Sequence, residues 1–531
     1  WYQRRVRGKM NQSTALVTSQ KPNSRPDSKK SPLPEGDIEG RKEEDFRNKV
    51  KAKLQEQVLN GSQFVLLFNL CLPQLVALLV EVFSNYISIY FQVQNFGSGY
   101  YPAALVYVSY LFIISKYVTQ SIAQRHAMNF AEMVQQNKPK EEIQEIVSSH
   151  YKLQVLLGIV MTIIGIAVSF TLTDFPVYST YVKTCAFFMP FCNAVSASFS
   201  IVYMIENRRL LMFGLTVARP ILQTFIEVFA YSFFFKATAT TTNMPTTIAV
   251  AFSHGVVAIW ILWFNCGQTA MGVTNLEEFP KINFKDWDWK KMLYSIKLLP
   301  AAVNGASQIL FLAAVIMVQK DVAKTFTDAT AILTMNYKVF VFAVFGQIFR
   351  VAAQACCSLY TQMCISNHLA QNFTRINTTK LMLIVFSAVI NVLLFFLLSQ
   401  APILHIFSNA DVHSIDVQST LLYCALAGFG QTFTEISATQ SLVDNMWILI
   451  AAVPILKIVQ ILVIENYLVT TIGDGADYIM MLFFTEMNST GTGFIIMVID
   501  IIKNIIKNKQ KQKKNKAKKE AKKQAGQVGM K

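Results

Sequence analysis

The sequence predicts an all-α integral membrane protein of about twelve transmembrane helices, arranged as two six-helix bundles related by a pseudo-two-fold axis along the membrane normal. Three observations predict it. The 531 residues are 53% hydrophobic and only 15% charged, with a mean hydropathy of +0.36, far more apolar than a water-soluble chain needs to be. Apolar stretches of about 20 residues, the length at which a helix crosses a bilayer, recur along the chain. The second half then repeats landmarks of the first in the same order.

Taken in order, residues 1–60 are rich in Lys, Arg, Glu, Ser and Pro without apolar period, and are expected to form a disordered cytoplasmic tail. Apolar stretches near 64–91, 101–120, 153–173, 182–204, 210–235 and 246–264 make residues 61–264 an N-terminal six-helix bundle. An amphipathic cytoplasmic connector covers 265–290. Stretches near 291–319, 326–352, 379–400, 416–440, 446–468 and 478–502 make 291–502 a C-terminal bundle, followed by a Lys-rich tail at 503–531. Leu72-Pro73 of the first span recurs as Leu299-Pro300 of the seventh, and Pro220-Ile221-Leu222 of the fifth as Pro454-Ile455-Leu456 of the eleventh. Two parallel repeats with a site between them follow from that order.

The net charge of +16 is concentrated in the two tails and in alternate loops. That distribution writes membrane topology, so nucleic acid is not the expected partner. An inside N-terminus makes the loops holding Arg125, Lys138, Lys140, Arg208, Arg209, Lys281, Lys285, Lys290, Arg375 and Lys380 cytoplasmic, with Lys320 and Lys324 as exceptions. Both termini are then inside, in the plasma membrane or an internal one, and the Lys tail is a topology anchor or a contact for anionic lipids. The sequons at Asn372 and Asn377 fall on the cytoplasmic side in this map.

An ionisable side chain within a span costs a few kcal/mol and calls for an account. In the first span, Gln74, Glu81, Asn85 and Ser88 follow one another at seven, four and three positions, which places them on one helical face. Glu81 is either a cation-binding or protonatable carboxylate or a permanent partner of a neighbouring helix. In the fifth span Thr216, Arg219, Gln223 and Glu227 repeat the pattern at three, four and four. Arg219 is expected to snorkel toward the boundary, leaving Glu227 the deeper charge. In the second bundle Asn304 and Gln308 lie one turn apart, as do Gln431, Glu435 and Thr439, with Glu435 the best acid there. Lys338, Arg350, Lys457 and Glu486 are expected to pair internally. Pro73, Pro190, Pro220, Pro300 and Pro454 lie within spans, where each removes a helical hydrogen bond and seeds a bend.

The eight Cys show neither a disulfide framework nor a metal spacing and are expected in the core. The His residues show no ligand spacing. Nucleotide-binding glycine loop, zinc-protease helix and nucleophile elbow are all missing, so neither enzyme, metal nor cofactor is expected.

The first span, LPQLVALLVEVFSNYISIYF, resembles the opening helix of the multidrug and toxic compound extrusion (MATE) transporters of the multidrug, oligosaccharidyl-lipid and polysaccharide exporter (MOP) superfamily. In that family Pro is followed by Asn twelve positions on and Asp fifteen on. Pro73 and Asn85 match, and Ser88 stands in place of the Asp, with Glu81 a candidate substitute. Gln223 and Glu227 are similar to the family's Asn and Asp of the fifth span. PILHIFSNADVHSI from Pro402, continuing to ATQS at Ser441, is similar to the passage from the ninth span through the tenth. Ala370 to Arg375 resembles the loop after the eighth span without its usual Gly.

The resemblance implies an antiporter exporting organic cations or amphipathic drug-like compounds in exchange for H+ or Na+ by alternating access. Glu81 and Glu227 would bind cation or coupling ion, assisted by Asn85, Ser88 and Gln223, with Glu435 and Gln308 opposite. A lipid-linked oligosaccharide flippase of the same superfamily is the alternative, with Lys297, Arg350 and Lys457 as its cationic residues. A non-transporting membrane scaffold or an intramembrane enzyme is the alternative of another class.

Overall fold

The computed structural model describes residues 59–96, 119, 122–123, 140–171, 179–205, 209–234, 244–266, 288, 329–408, 415–444, 452, 455–456, 458–459, 462–463 and 478–528. The chain divides into Trp1–Gln55 and Glu56–Lys531, and every described residue belongs to the second unit. Apart from isolated positions, the expected tail at 1–60, the spans near 101–120, 291–319 and 446–468, and the connector at 265–290 lie outside the described residues.

The described residues form α1 (Gln63–Phe96), α2 (Lys140–Thr171), α3 (Ser179–Ile205), α4 (Arg209–Phe229), α5 (Met244–Cys266), α6 (Ala329–Leu369), α7 (Phe373–Leu398), α8 (Ala401–Leu404), α9 (Gln418–Val443) and α10 (Tyr478–Val528). Six helices among them are long and apolar enough to cross a membrane. Large apolar side chains stay exposed in stripes, as on α7, where Leu381, Val385, Val389, Val392, Phe396 and their neighbours face outward. Such a stripe is stable only against hydrocarbon, which makes the chain a multi-pass integral membrane protein.

Helices α2 and α3, α3 and α5, α4 and α5, and α1 and α4 pack together in the N-terminal half. In the C-terminal half α9 packs on α6, α7 and α10, and α7 on α6 and α10. By the two-repeat reading, α2 corresponds to α7, α3 to α9 and α5 to α10. The pairs α2–α3 and α3–α5 then have the counterparts α7–α9 and α9–α10, all in contact. The apolar stretch of α6 is 78% buried against 22% for α7, so α6 is a central helix and α7 a peripheral one.

Close approach in the C-terminal half depends on glycine, as membrane interfaces commonly do. A Cβ at Gly428 of α9 would lie 2.2 Å from the Cβ of Phe349 on α6, and one at Gly493 of α10 would lie 2.9 Å from the Thr434 backbone on α9.

Helix α1 joins the halves by packing on both α4 and α6. Cys71 Sγ donates to Cys356 O at 3.3 Å, and the Tyr86 hydroxyl donates to Val344 O. At the start of α1, Gln63 Nε2 donates to Arg375 O and Thr379 Oγ1 of α7, both at 2.8 Å, while Arg375 donates back to Gly61 O.

The α6–α7 turn explains the loop without its usual glycine. Gln371 N donates to His368 O at 3.0 Å and Asn372 N to Asn367 O at 2.8 Å, the paired bonds that end a helix in a left-handed residue. Gln371 takes that place at φ 54°, the one positive-φ non-glycine residue among the described residues. Nearby, Asp444 at the end of α9 accepts from His368 Nε2 at 3.1 Å and Lys503 Nζ at 2.8 Å, with Lys507 at 3.8 Å. Burial pushes its carboxyl up, but the His368 and Lys503 hydrogen bonds and the lysine charges outweigh that and hold it well below the usual range. The Lys-rich tail continues α10 as helix to Val528.

Candidate functional site

The facing sides of α1 and α4 meet through the polar positions that the sequence aligns. Ser84 Oγ donates to Pro220 O at 2.9 Å and accepts from Thr224 Oγ1 at 2.8 Å, so the proline bend of α4 is docked onto α1. Around this contact a connected chain of polar side chains is buried in the N-terminal half.

Arg219 does not snorkel. It is 8% exposed and donates from Nη2 to Glu81 Oε1 at 2.9 Å. Its length permits this because α1 offers a carboxylate at the same depth, and pairing outweighs reaching for water. Arg219 Nη1 lies 3.2 Å from Gln223 Oε1 and 3.2 Å from His254 Nε2 of α5. A guanidinium only donates, so His254 Nε2 accepts, its ring is neutral, and its Nδ1–H points at Val250 O, 3.0 Å away.

The other end is Glu227, which is 0% exposed. Ser88 of α1 donates to Glu227 Oε2, and Thr246 of α5 donates to Oε1. Gln223 Nε2 donates to Ser88 Oγ at 3.3 Å, and the Tyr231 hydroxyl is 3.1 Å from Thr246 Oγ1. Because the Thr246 hydrogen is committed to Glu227, Tyr231 is the donor in that pair. Tyr231 sits in a π-helical turn, Ala230–Phe234, that follows α4 and turns its hydroxyl to α5.

Two arms therefore point their donors at one carboxylate: Arg219 to Gln223 to Ser88 to Glu227, and Tyr231 to Thr246 to Glu227. That polarity suits a carboxylate anion. A proton placed on Glu227 must be donated to one of the two hydroxyl oxygens, which forces that hydroxyl to turn and rewires one arm. Protonation is thereby linked to the contacts of α4 with α1 or α5.

The structure thus brings Glu81, Ser88, Gln223 and Glu227 together, while Asn85 lies half-buried on the same face of α1. Ser88, where the resemblance expects an acid, is a hydroxyl donor to Glu227 of α4. His254, Thr246 and Tyr231 complete the chain; the first two lie on α5 and the third in the π-helical turn after α4, outside the polar faces that the sequence aligns on α1 and α4. In the other half Gln431 Nε2 donates to Glu435 Oε1 at 2.9 Å, and Gln308 lies outside the described residues. Arg350 is buried 3.8 Å from Glu486; Lys297 and Lys457 lie outside the described residues. The seven cysteines whose side chains are described are free and buried.

No family profile and no curated protein sequence matches the chain. Solved structures do match in fold. A multidrug resistance MATE family transporter of the MOP superfamily in an outward-facing conformation superposes with a TM-score of 0.64 at 14% identity, covering 84% of this chain and 98% of that one. A MOP superfamily transporter from Pyrococcus furiosus, described as having a binding pocket of reversed polarity suggesting a different function, gives 0.63 at 14% identity with the same coverages. A MATE in complex with MaL6 gives 0.64 at 15%, again with 84% and 98% covered. The fold is that of the twelve-helix MATE transporters.

Proposed function

We propose that the chain is a secondary active antiporter that exports organic cations or other amphipathic compounds in exchange for H+ or Na+, with both termini cytoplasmic. In this reading Glu227 is the group for which coupling ion and substrate compete, and Glu81 with Arg219 is the fixed pair that sets the polarity of its surroundings. The observation that carries the reading is the hydrogen-bond direction: every donor around Glu227 converges on a buried carboxylate that no cationic side chain touches among the contacts described. A proton, Na+ or an organic cation supplies the missing positive charge, and only one of them fits at a time. Because binding rewires contacts between α1, α4 and α5, each ligand favours its own arrangement of the bundle, which couples the two fluxes.

The test is uptake of a fluorescent organic cation into proteoliposomes under an imposed pH gradient and, separately, a Na+ gradient. Gradient-driven flux in the native protein that Glu227→Gln abolishes is expected. Equal flux in the two proteins would refute the assignment of Glu227, and no flux under either gradient would refute cation antiport.

A further inference from the structure

A second buried polar centre lies in the C-terminal half, where α7 meets α10 near the Lys-rich end. Asn508 Nδ2 donates to Thr374 Oγ1 at 2.7 Å, Asn504 Nδ2 to Asn377 Oδ1 at 3.0 Å, and Asn377 Nδ2 to Ile501 O at 3.2 Å. Rising numbers on α7 meet falling numbers on α10, so the helices are antiparallel and their register is fixed. One turn deeper come Lys380, three residues beyond Asn377, and Asp500, four before Asn504.

Lys380 is 0% and Asp500 1% exposed. Lys380 Nζ, both Asp500 carboxylate oxygens and Asn504 Oδ1 have no hydrogen-bond partner among the described residues. The charged and titratable groups within electrostatic reach of this pair among the described residues are Tyr360 and Cys364 on α6, Asp444 at the end of α9, and Lys503 and Lys507 on α10. Asp444 is already held by Lys503 at 2.8 Å and by His368 at 3.1 Å. Lys380 and Asp500 are thus left to balance each other's charge without touching, an arrangement that burial penalises unless something else satisfies the exposed valences.

Asp500 and Asn504 are one turn apart on one face and present three hard oxygen acceptors. Such a set suits a small hard cation. Charge selects its valence. One free carboxylate compensates one positive charge, so a divalent ion would leave an excess in a low-dielectric site, whereas a monovalent ion replaces the ammonium of Lys380 without changing the total.

We propose that Asp500 and Asn504 bind a monovalent metal cation of the Na+ class, and that Lys380 is the tethered cation it displaces. The entering ion forms contacts with the Asp500 and Asn504 oxygens, and Lys380 Nζ loses its proton to water. Net charge is the same before and after. This site is separate from the Glu227 network, and its test reads binding, so it stands whether or not the transport reading holds.

The experiment is thermal unfolding of the purified full chain in NaCl against choline chloride at equal ionic strength, between about pH 6 and 9. Na+ is expected to raise the unfolding temperature, with the half-saturating concentration falling about tenfold per pH unit because one proton leaves as one ion binds. Lys380→Gln should keep the effect and remove its pH dependence. Glu227→Gln, which removes any ion taken up at that carboxylate, should retain the effect and its pH dependence. In that background the double variant Lys380→Gln with Asp500→Asn, which strands no charge, should fold and lose the Na+ effect. Absence of a Na+-specific effect in Glu227→Gln, its persistence when the double variant is added, or an affinity of Glu227→Gln independent of pH would overturn the proposal.

Discussion

Glu81 and Glu227 carry the same functional group on facing helices, and their partners give them different work. Glu81 is bound to Arg219 at 2.9 Å, so Glu81→Gln leaves a buried guanidinium without its counter-charge. That loss is expected to cost about 3 kcal/mol of stability, the usual range for breaking a buried pair. Glu227 is held by two neutral hydroxyls, and Glu227→Gln keeps an acceptor for one of them and is expected to cost about 1 kcal/mol. Thermal unfolding of the two variants should therefore rank Glu81→Gln as the more damaged protein, while transport assays rank Glu227→Gln as the more damaged transporter. A third residue argues from backbone alone. Gln371 sits at φ 54°, where glycine has no steric penalty, so Gln371→Gly should stabilise by about 0.5–1 kcal/mol in the same unfolding assay. The periodicity of α1 and α4 made the aligned face of Glu81, Ser88, Gln223 and Glu227 legible in the sequence. The depth of Arg219 was not legible, because whether an arginine snorkels or pairs depends on what the opposing helix offers at that height.

At the scale of elements, the C-terminal half relies on approach distances that one methyl group spoils. Gly428→Ala would bring a Cβ to 2.2 Å from Phe349, and the α6–α9 packing should loosen by about 2 kcal/mol, read as a lowered unfolding temperature. The Asp444 cluster ties the end of α9 to α6 and α10 by charge. Its carboxyl is held below the ordinary value, so its contribution is complete above the unfolded carboxyl pKa of about 3.9 and is lost as pH falls toward the folded value. Asp444→Asn should cost about 1–2 kcal/mol at neutral pH, discounted because Lys503 is partly exposed, and the gap to the native protein should close below about pH 4. Helix α6 shows why element ends are poorly written in sequence: its apolar run near 326–352 marks only the most apolar part of a central helix, which runs on to Leu369 through Tyr360, Cys364 and Asn367, buried among neighbouring helices as the run itself is. The Lys tail likewise reads as a polar segment, yet it extends α10, since Lys, Gln and Ala all favour helix once a turn is nucleated.

For the whole molecule, composition and the recurrence of 20-residue apolar runs were enough to specify an all-helical membrane fold, because the bilayer imposes length and polarity on every crossing. Which side chains meet between halves was not specified by any local pattern. Helix α1 holds that junction, with Gln63 bonded to Thr379 at 2.8 Å at one end and Tyr86 bonded to Val344 further along. If the halves rock during exchange, a disulfide between Gln63→Cys and Thr379→Cys should arrest flux under oxidation and release it under reduction, measured against the uncrosslinked double variant. Exchange at one buried carboxylate requires the two fluxes to be reciprocal. In proteoliposomes loaded with an organic cation and given no ion gradient, outward movement of the cation should draw H+ or Na+ inward in the native protein, and Glu227→Gln should abolish both movements together. Cation efflux without counter-movement of either ion, or counter-movement that survives Glu227→Gln, would contradict it.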